Sequence, residues 1–229
     1  MLLSREKKFI FLKTYKTAST SIEFLLRDYC GTAPESFYKR SEDILPPIVS
    51  DRGIITHSYS LTKLSHQHRD YFWDHITAEE LKSKLDGHTW RNYFKFCVVR
   101  NPYEKFFSLL VFAIVKKYGK FSSIEQAQEL MQYIIQRNTR INWFDSNVYL
   151  IDEKLCVDAV IRYENLKEDL NKVLTVLDIP FREENFPRIN SQYTPKNFDL
   201  KLFYTDEIIE FIKQKYWFEI ETFGYQEPC

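Results

Sequence analysis

Two short clusters of cationic and hydroxylic residues have the types and spacing needed to hold phosphate. The first lies in residues 9–26, FIFLKTYKTASTSIEFLL, where Lys16 is followed by Thr17, Ala18, Ser19, Thr20 and Ser21. Immediately afterwards Ile22, Leu25, Leu26 and Tyr29 recur at the i, i+3, i+4, i+7 spacing of one buried helical face. The hydroxyls therefore stand where a helix begins, and a helix N-terminus offers unpaired backbone N–H groups and the positive end of its dipole. One ammonium, several hydroxyls and that dipole make a phosphate cradle; an ordinary polar N-cap fits the same local pattern. The second cluster is in residues 94–110, FKFCVVRNPYEKFFSLL. Arg100 closes an apolar run, Asn101 can cap a helix, and Pro102 suits the first helical position, where a missing N–H costs nothing. Ser108 follows Arg100 by eight residues. The planar arginine fork donates two parallel hydrogen bonds to a phosphate, although a strand-end arginine is equally at home in a salt bridge.

Both clusters need the same scaffold, an apolar strand feeding a helix through a tight turn. Phe9–Leu12 supplies the first strand, and Phe94–Val99 reads as a strand covered on both faces. Further strands are expected near 54–57 and 157–163. Helices are expected near 19–30, 77–86, 102–118, 123–138, 164–178 and 205–221. Ser122 with Glu125, and Ser123 with Gln126, are capping-box signals. Leu166, Leu170, Val173, Leu174 and Leu177 give the fifth helix a buried face. Strands alternating with helices argue an α/β fold with a parallel β-sheet flanked by helices. The length predicts one domain over residues 1–229. Residues 31–53 and 180–204, rich in proline and without periodicity, are expected to be irregular loops near the active site.

The glycine-rich GxxxxGK[ST] loop of nucleoside-triphosphate enzymes is absent. The order strand–x–Lys–Thr–Ala–x–Thr–Ser–helix instead resembles the 5′-phosphosulfate loop of sulfotransferases that use 3′-phosphoadenosine-5′-phosphosulfate (PAPS). VVRNPYEKFFS resembles their 3′-phosphate motif, in which the arginine and the serine eight residues on hold the cofactor. HITAEELKSKLDGHTWRNYFKFCVVRNPYEKFFSLL, VDAVIRYENLKEDLNKVLTVLDI and YTDEIIEFIKQKYWFEIETFGYQ are similar to blocks of bacterial sulfotransferases related to the carbohydrate O-sulfotransferases. The resemblance implies the P-loop-NTPase-like sulfotransferase fold, PAPS as donor, PAP as product and no metal. It implies cofactor contacts from Lys16, Thr17, Ala18, Ser19, Thr20, Ser21, Arg100 and Ser108, with Asn190, Ser191 and Lys196 as further candidates in a loop folding over the nucleotide. Three positions depart from the pattern: Tyr15 replaces a common proline, Ser19 stands where many relatives have glycine, and Lys13 where relatives often have His or Arg.

Sulfuryl transfer to a hydroxyl needs a group to neutralise the leaving phosphate and a base for the hydroxyl proton. Lys16 fits the first role. For the second, His75 stands two residues before Thr77, the start of a T-x-x-E capping box, and aligns with the histidine of relatives. His57, at the C-terminal end of the Ile54–Ile55 run, is the rival, because ligands of α/β sheets bind at that edge. His75 also fits a capping or surface role. His66 and His68 form an H-x-H pair without a convincing third metal ligand, and His88 reads as surface. Arg162-Tyr163-Glu164-Asn165-Leu166 resembles the family's R-[YF]-E-x-L turn, with Glu164 either a supporting carboxylate or dipole compensation. Tyr59, Tyr71, Trp73, Trp90 and Trp143 could wall an acceptor or belong to the core.

The acceptor class implied is a carbohydrate or a polar small molecule. A charge balance of 32 basic against 32 acidic residues argues against a nucleic-acid binder. No run approaches 18 apolar residues, so no membrane span is expected, and the N-terminal stretch does not read as a signal peptide. Cys30, Cys97, Cys156 and Cys229 lack C-x-x-C spacing and are expected as reduced thiols in a cytoplasmic protein. Two rival functions are a kinase, which lacks its glycine loop here, and a non-catalytic nucleotide-binding scaffold. The sequence leaves the oligomeric state open.

Overall fold

The first strand, β1 (Leu2–Ser4), turns through the charged residues 5–8 into β2 (Phe9–Leu12). Antiparallel strands can be joined by so short a turn, whereas parallel ones need a crossover. The chain then runs through α1 (Ser19–Leu26), β3 (Ile48–Val49), β4 (Gly53–Ile55), α2 (Ala78–Lys84), α3 (Gly87–Asn92), β5 (Phe94–Val99), α4 (Pro102–Tyr118) and α5 (Ile124–Gln136). It ends with β6 (Leu150–Ile151), β7 (Lys154–Leu155), β8 (Ala159–Arg162), α6 (Leu166–Val176), α7 (Asp206–Lys215) and α8 (Trp217–Phe223). This computed structural model describes residues 1–34, 37, 45–56, 72–136, 144–187 and 200–228.

The six-stranded sheet has the order β3-β4-β1-β2-β5-β8. The expected α/β class stands, with one correction: the sheet is mixed. β2 and β5 pair in parallel, Phe9 against Phe94 through Leu12 against Cys97. β1 runs antiparallel to both β2 and β4, and β3 antiparallel to β4. The short N-terminal turn imposes the antiparallel side. The parallel pair sets the C-terminal ends of β2 and β5 on one edge, where Thr14 Oγ1 donates to the Val98 carbonyl at 2.5 Å.

The chain divides into two compact units. The first comprises residues 1–14, 18–98 and 147–187 and contains the sheet. Its core packs Phe9, Phe11 and Phe96 against Ile22 and Leu26 of α1 and Leu170, Val173 and Leu174 of α6. Phe11 and Phe96 stack at 5.0 Å between ring centroids. The buried face expected for residues 164–178 is the one packed here. The second unit, residues 15–17, 99–146 and 188–229, is helical. Tyr103, Phe106, Phe107, Leu110 and Ile114 of α4 pack against Ala127 and Met131 of α5 and Ile208 and Ile212 of α7.

Local signals set most helix starts. Thr77 accepts from the Glu80 amide and donates to its carboxylate, so the expected capping box forms by its Thr77 half with a side-chain pair in place of the reciprocal bond. Ser123 accepts from the Gln126 amide at 3.3 Å, and Thr205 caps α7. The first expected helix stops at Leu26 and tightens into a 3-10 turn, Arg27–Tyr29. The last expected helix breaks at Tyr216 (φ −119°, ψ 27°), whose buried ring packs edge-on to Phe106 and Phe144. No described helix is long and apolar enough to cross a membrane. Cys30, Cys97 and Cys156 are thiols.

Candidate active site

α4 is positioned by its own sequence. Asn101 accepts from the Tyr103 amide at 3.0 Å, Pro102 opens the helix, and Glu104 lies in its first turn. Positions 104, 108 and 112 are four apart, so Glu104, Ser108 and Phe112 share one face. Arg100, just before the helix, donates from Nη2 to Glu104 at 3.2 Å and from Nη1 to the Lys16 carbonyl at 3.1 Å. The Lys16 ammonium rests 4.8 Å from the centroid of the Phe112 ring. An ammonium over a ring face is held by the ring quadrupole. Lys16, Arg100 and Ser108 are thus brought to one face of α4. In the same unit the buried carboxylate of Asp145 accepts from the Tyr15 amide at 2.5 Å and pairs with the buried Lys105 ammonium.

The loop has an unusual backbone. Lys16 (φ 57°) and Ala18 (φ 57°, ψ 20°) are left-handed, although neither is glycine. Such conformations cost about 1–3 kcal/mol each for residues with a Cβ and persist only where the surroundings dictate them. Interrupted left-handed turns of this kind point successive N–H groups toward an anion. Ser19, the expected departure from glycine, is already the first helical residue, so the missing glycine costs no strain at that position. Thr17, Ser19 and Ser21 are buried, and Thr20 is half-buried. Among the described α-helices, α1 alone has neither a side-chain cap nor an acidic residue in its first turn. A helix start of that kind attracts anions.

His75 lies in the turn before α2, half-buried, with Nδ1 2.9 Å from the Lys13 carbonyl oxygen. A carbonyl only accepts, so Nδ1 carries the proton and the ring lone pair is on Nε2. Burial, reinforced by the Lys13 charge and opposed by Asp74, brings the imidazole from 6.5 down to about 4. Lys13 is itself buried, with Nζ 2.5 Å from Glu23 and 2.7 Å from Asp74. Burial alone would lower its affinity for a proton, but the two carboxylates outweigh it and hold it charged. Burial raises the Asp74 carboxyl, yet Lys13 and the Met1 amine prevail and keep it well below the usual carboxylate range. Glu23 moves the other way: its burial outweighs Lys13, and it is the carboxyl that takes a proton more readily.

His57, His66, His68, Asn190, Ser191, Lys196, Tyr59, Tyr71 and Trp143 lie outside the described residues. Trp73 and Trp90 are half-buried, each beneath a lysine ammonium, Lys84 at 5.9 Å and Lys95 at 5.7 Å. His88 and Glu164 are exposed. Among the described residues no group of three or more His, Cys, Asp or Glu could hold a metal ion. Sequence reasoning missed Asp145, Lys105, Asp74 and Glu23. Lys105 gave a signal, a cation directly before Phe106 and Phe107 on a largely apolar helix, where it must find a buried partner. Asp145 and Glu23 gave none.

Residues 1–226 match the sequence model of the family described as "Sulfotransferase family". The chain belongs to the sulfotransferase family. No curated protein sequence matches it. Among solved structures it is similar to mouse sulfotransferase SULT7A1 complexed with PAP, at 13% identity over 96% of this chain and 84% of that one, with a TM-score of 0.47.

Proposed function

We propose that this sulfotransferase moves a sulfuryl group from PAPS to a hydroxyl of a glycan or a polar small metabolite, in the cytoplasm. The observation that carries the reading is the convergence of Lys16, Arg100 and Ser108 on one face of α4, with Arg100 bonded to the Lys16 carbonyl. The donor set suits a doubly phosphorylated adenosine: an ammonium, a guanidinium, hydroxyls and an uncapped helix start, without a metal. PAPS supplies an activated sulfuryl group whose transfer leaves a phosphate. Lys16, with Thr17, Ala18, Ser19, Thr20 and Ser21, neutralises charge at the 5′-phosphate; Arg100 and Ser108 hold the 3′-phosphate. His75, with its lone pair on Nε2, accepts the acceptor's hydroxyl proton.

The test combines binding and transfer. PAP should raise the melting temperature where ATP with magnesium does not, and labelled sulfate should pass from PAPS to one of a panel of sugars and hydroxylated metabolites. Arg100→Ala should weaken PAP binding about tenfold or more, since each charge-assisted hydrogen bond contributes about 1.5–3 kcal/mol. Lys16→Ala should keep the fold and lose about 10²–10³ in kcat, the usual scale for one transition-state donor. Unchanged PAP affinity in Arg100→Ala would sink this assignment.

A further inference from the structure

Lys13 follows β2 and is 1% exposed, a position where a strand end needs only an apolar residue. A buried charge costs several kcal/mol unless it is well paired, and replacing such pairs with apolar residues is often neutral or stabilising. The cluster around Lys13 is therefore weakly explained by stability alone. Its geometry offers another account. The ammonium bridges two elements, Glu23 on α1 and Asp74 in the turn before α2. The next residue in that turn is His75, and its Nδ1 bonds the carbonyl of Lys13 itself. One residue thus grips the turn twice, by side chain and by main chain. The Met1 amine closes the other side of Asp74, bonding its carbonyl at 2.9 Å. Thr56 Oγ1 lies 2.5 Å from Asp74 Oδ1. The charged groups around the imidazole are Asp74, Lys13 and the Met1 amine.

We infer that Lys13 is a positioning residue for sulfuryl transfer: paired with Asp74 and Glu23, it holds His75 in the Nδ1–H tautomer and ties that imidazole to the helix whose first turn carries Ser19, Thr20 and Ser21. The inference rests on the reading of His75 as the base. Without the ammonium, nothing bridges Glu23 to Asp74, the turn shifts, and the carbonyl no longer selects one tautomer.

The experiment uses the full chain, PAPS and the acceptor found in the transfer panel, with Lys13→Met, Lys13→Arg and Glu23→Gln. Readouts are kcat, PAP affinity and the ¹⁵N shifts of the His75 ring. Lys13→Met should lose about 10²-fold in kcat, the scale of a 1 Å misplacement, with PAP affinity nearly unchanged. Its His75 should show mixed tautomers. Lys13→Arg should restore both kcat and the single Nδ1–H signature. A folded Lys13→Met with normal kcat and an unaltered tautomer overturns the inference, as does an equal fall in kcat and PAP affinity with the tautomer intact. Should Lys13→Met fail to fold, Glu23→Gln decides: it cuts the tie to α1 while Asp74 stays paired, so kcat should fall with PAP affinity kept, and an unchanged kcat overturns the inference. A wild-type ring protonated on Nε2 overturns the inference whatever the activity. His75→Ala with near-normal kcat overturns the base assignment instead, and the tautomer change in Lys13→Met still reports on positioning.

Discussion

The two strand-to-helix junctions reach their conformations by opposite routes. At residues 99–102 the sequence contains its own instructions: Asn101 caps, Pro102 fixes the first helical φ, and the helix follows directly. At residues 13–19 nothing local explains the shape. Two residues with side chains sit at positive φ, and the helix begins without a side-chain cap. A contact remote in sequence reaches this loop instead: Asp145 receives the Tyr15 amide. A junction built from local propensity is robust and passive. One held by a distant charge can keep a backbone that its own residues would not choose.

Breaking the remote contact should have the largest effect. Asp145→Asn leaves the buried Lys105 ammonium without its counter-charge, and losing one partner of a buried pair typically costs about 3–5 kcal/mol. Urea denaturation should show that loss together with weakened PAP binding; a loss under about 1 kcal/mol would mean that the loop does not depend on this contact. The second effect is on pH. The folded imidazole of His75 titrates near 4 and the unfolded one near 6.5, so on acidification the unfolded chain takes up the proton first. The corresponding stability is present above pH 6.5 and is lost as pH falls toward 4. His75→Gln should flatten that slope, and the acid limb of turnover assigned to His75 should lie near pH 4 rather than 6.5. A limb at 6.5 would place the base elsewhere. The smallest effect belongs to the locally encoded junction. Asn101→Ala removes one cap and should cost about 1 kcal/mol of stability. A much larger cost would show that the Arg100 junction also depends on its surroundings.

The helices with clear stripes and caps were legible because their signals are short-range. Thr77, Asn101, Ser123 and Thr205 act within three residues, and Leu170, Val173 and Leu174 repeat at the helical period. β1 was not legible, because three residues ending in a charged turn carry too little pattern to be read as a strand. α3 was missed because His88, Thr89 and Trp90 form no stripe, and its start rests on the single cap of Asp86.

Sequence alone settled the family to which the chain belongs. The order of Lys16 before its hydroxyls, and of Arg100 before Ser108, is linear information that no folding detail alters. Tertiary structure decided which charges would be buried together and which backbone would be strained. Glu23 and Asp74 are 51 residues apart, and Asp145 lies 130 residues beyond Tyr15. Their meeting follows from strand pairing and core packing over the whole fold, and composition, periodicity and spacing carry no trace of it.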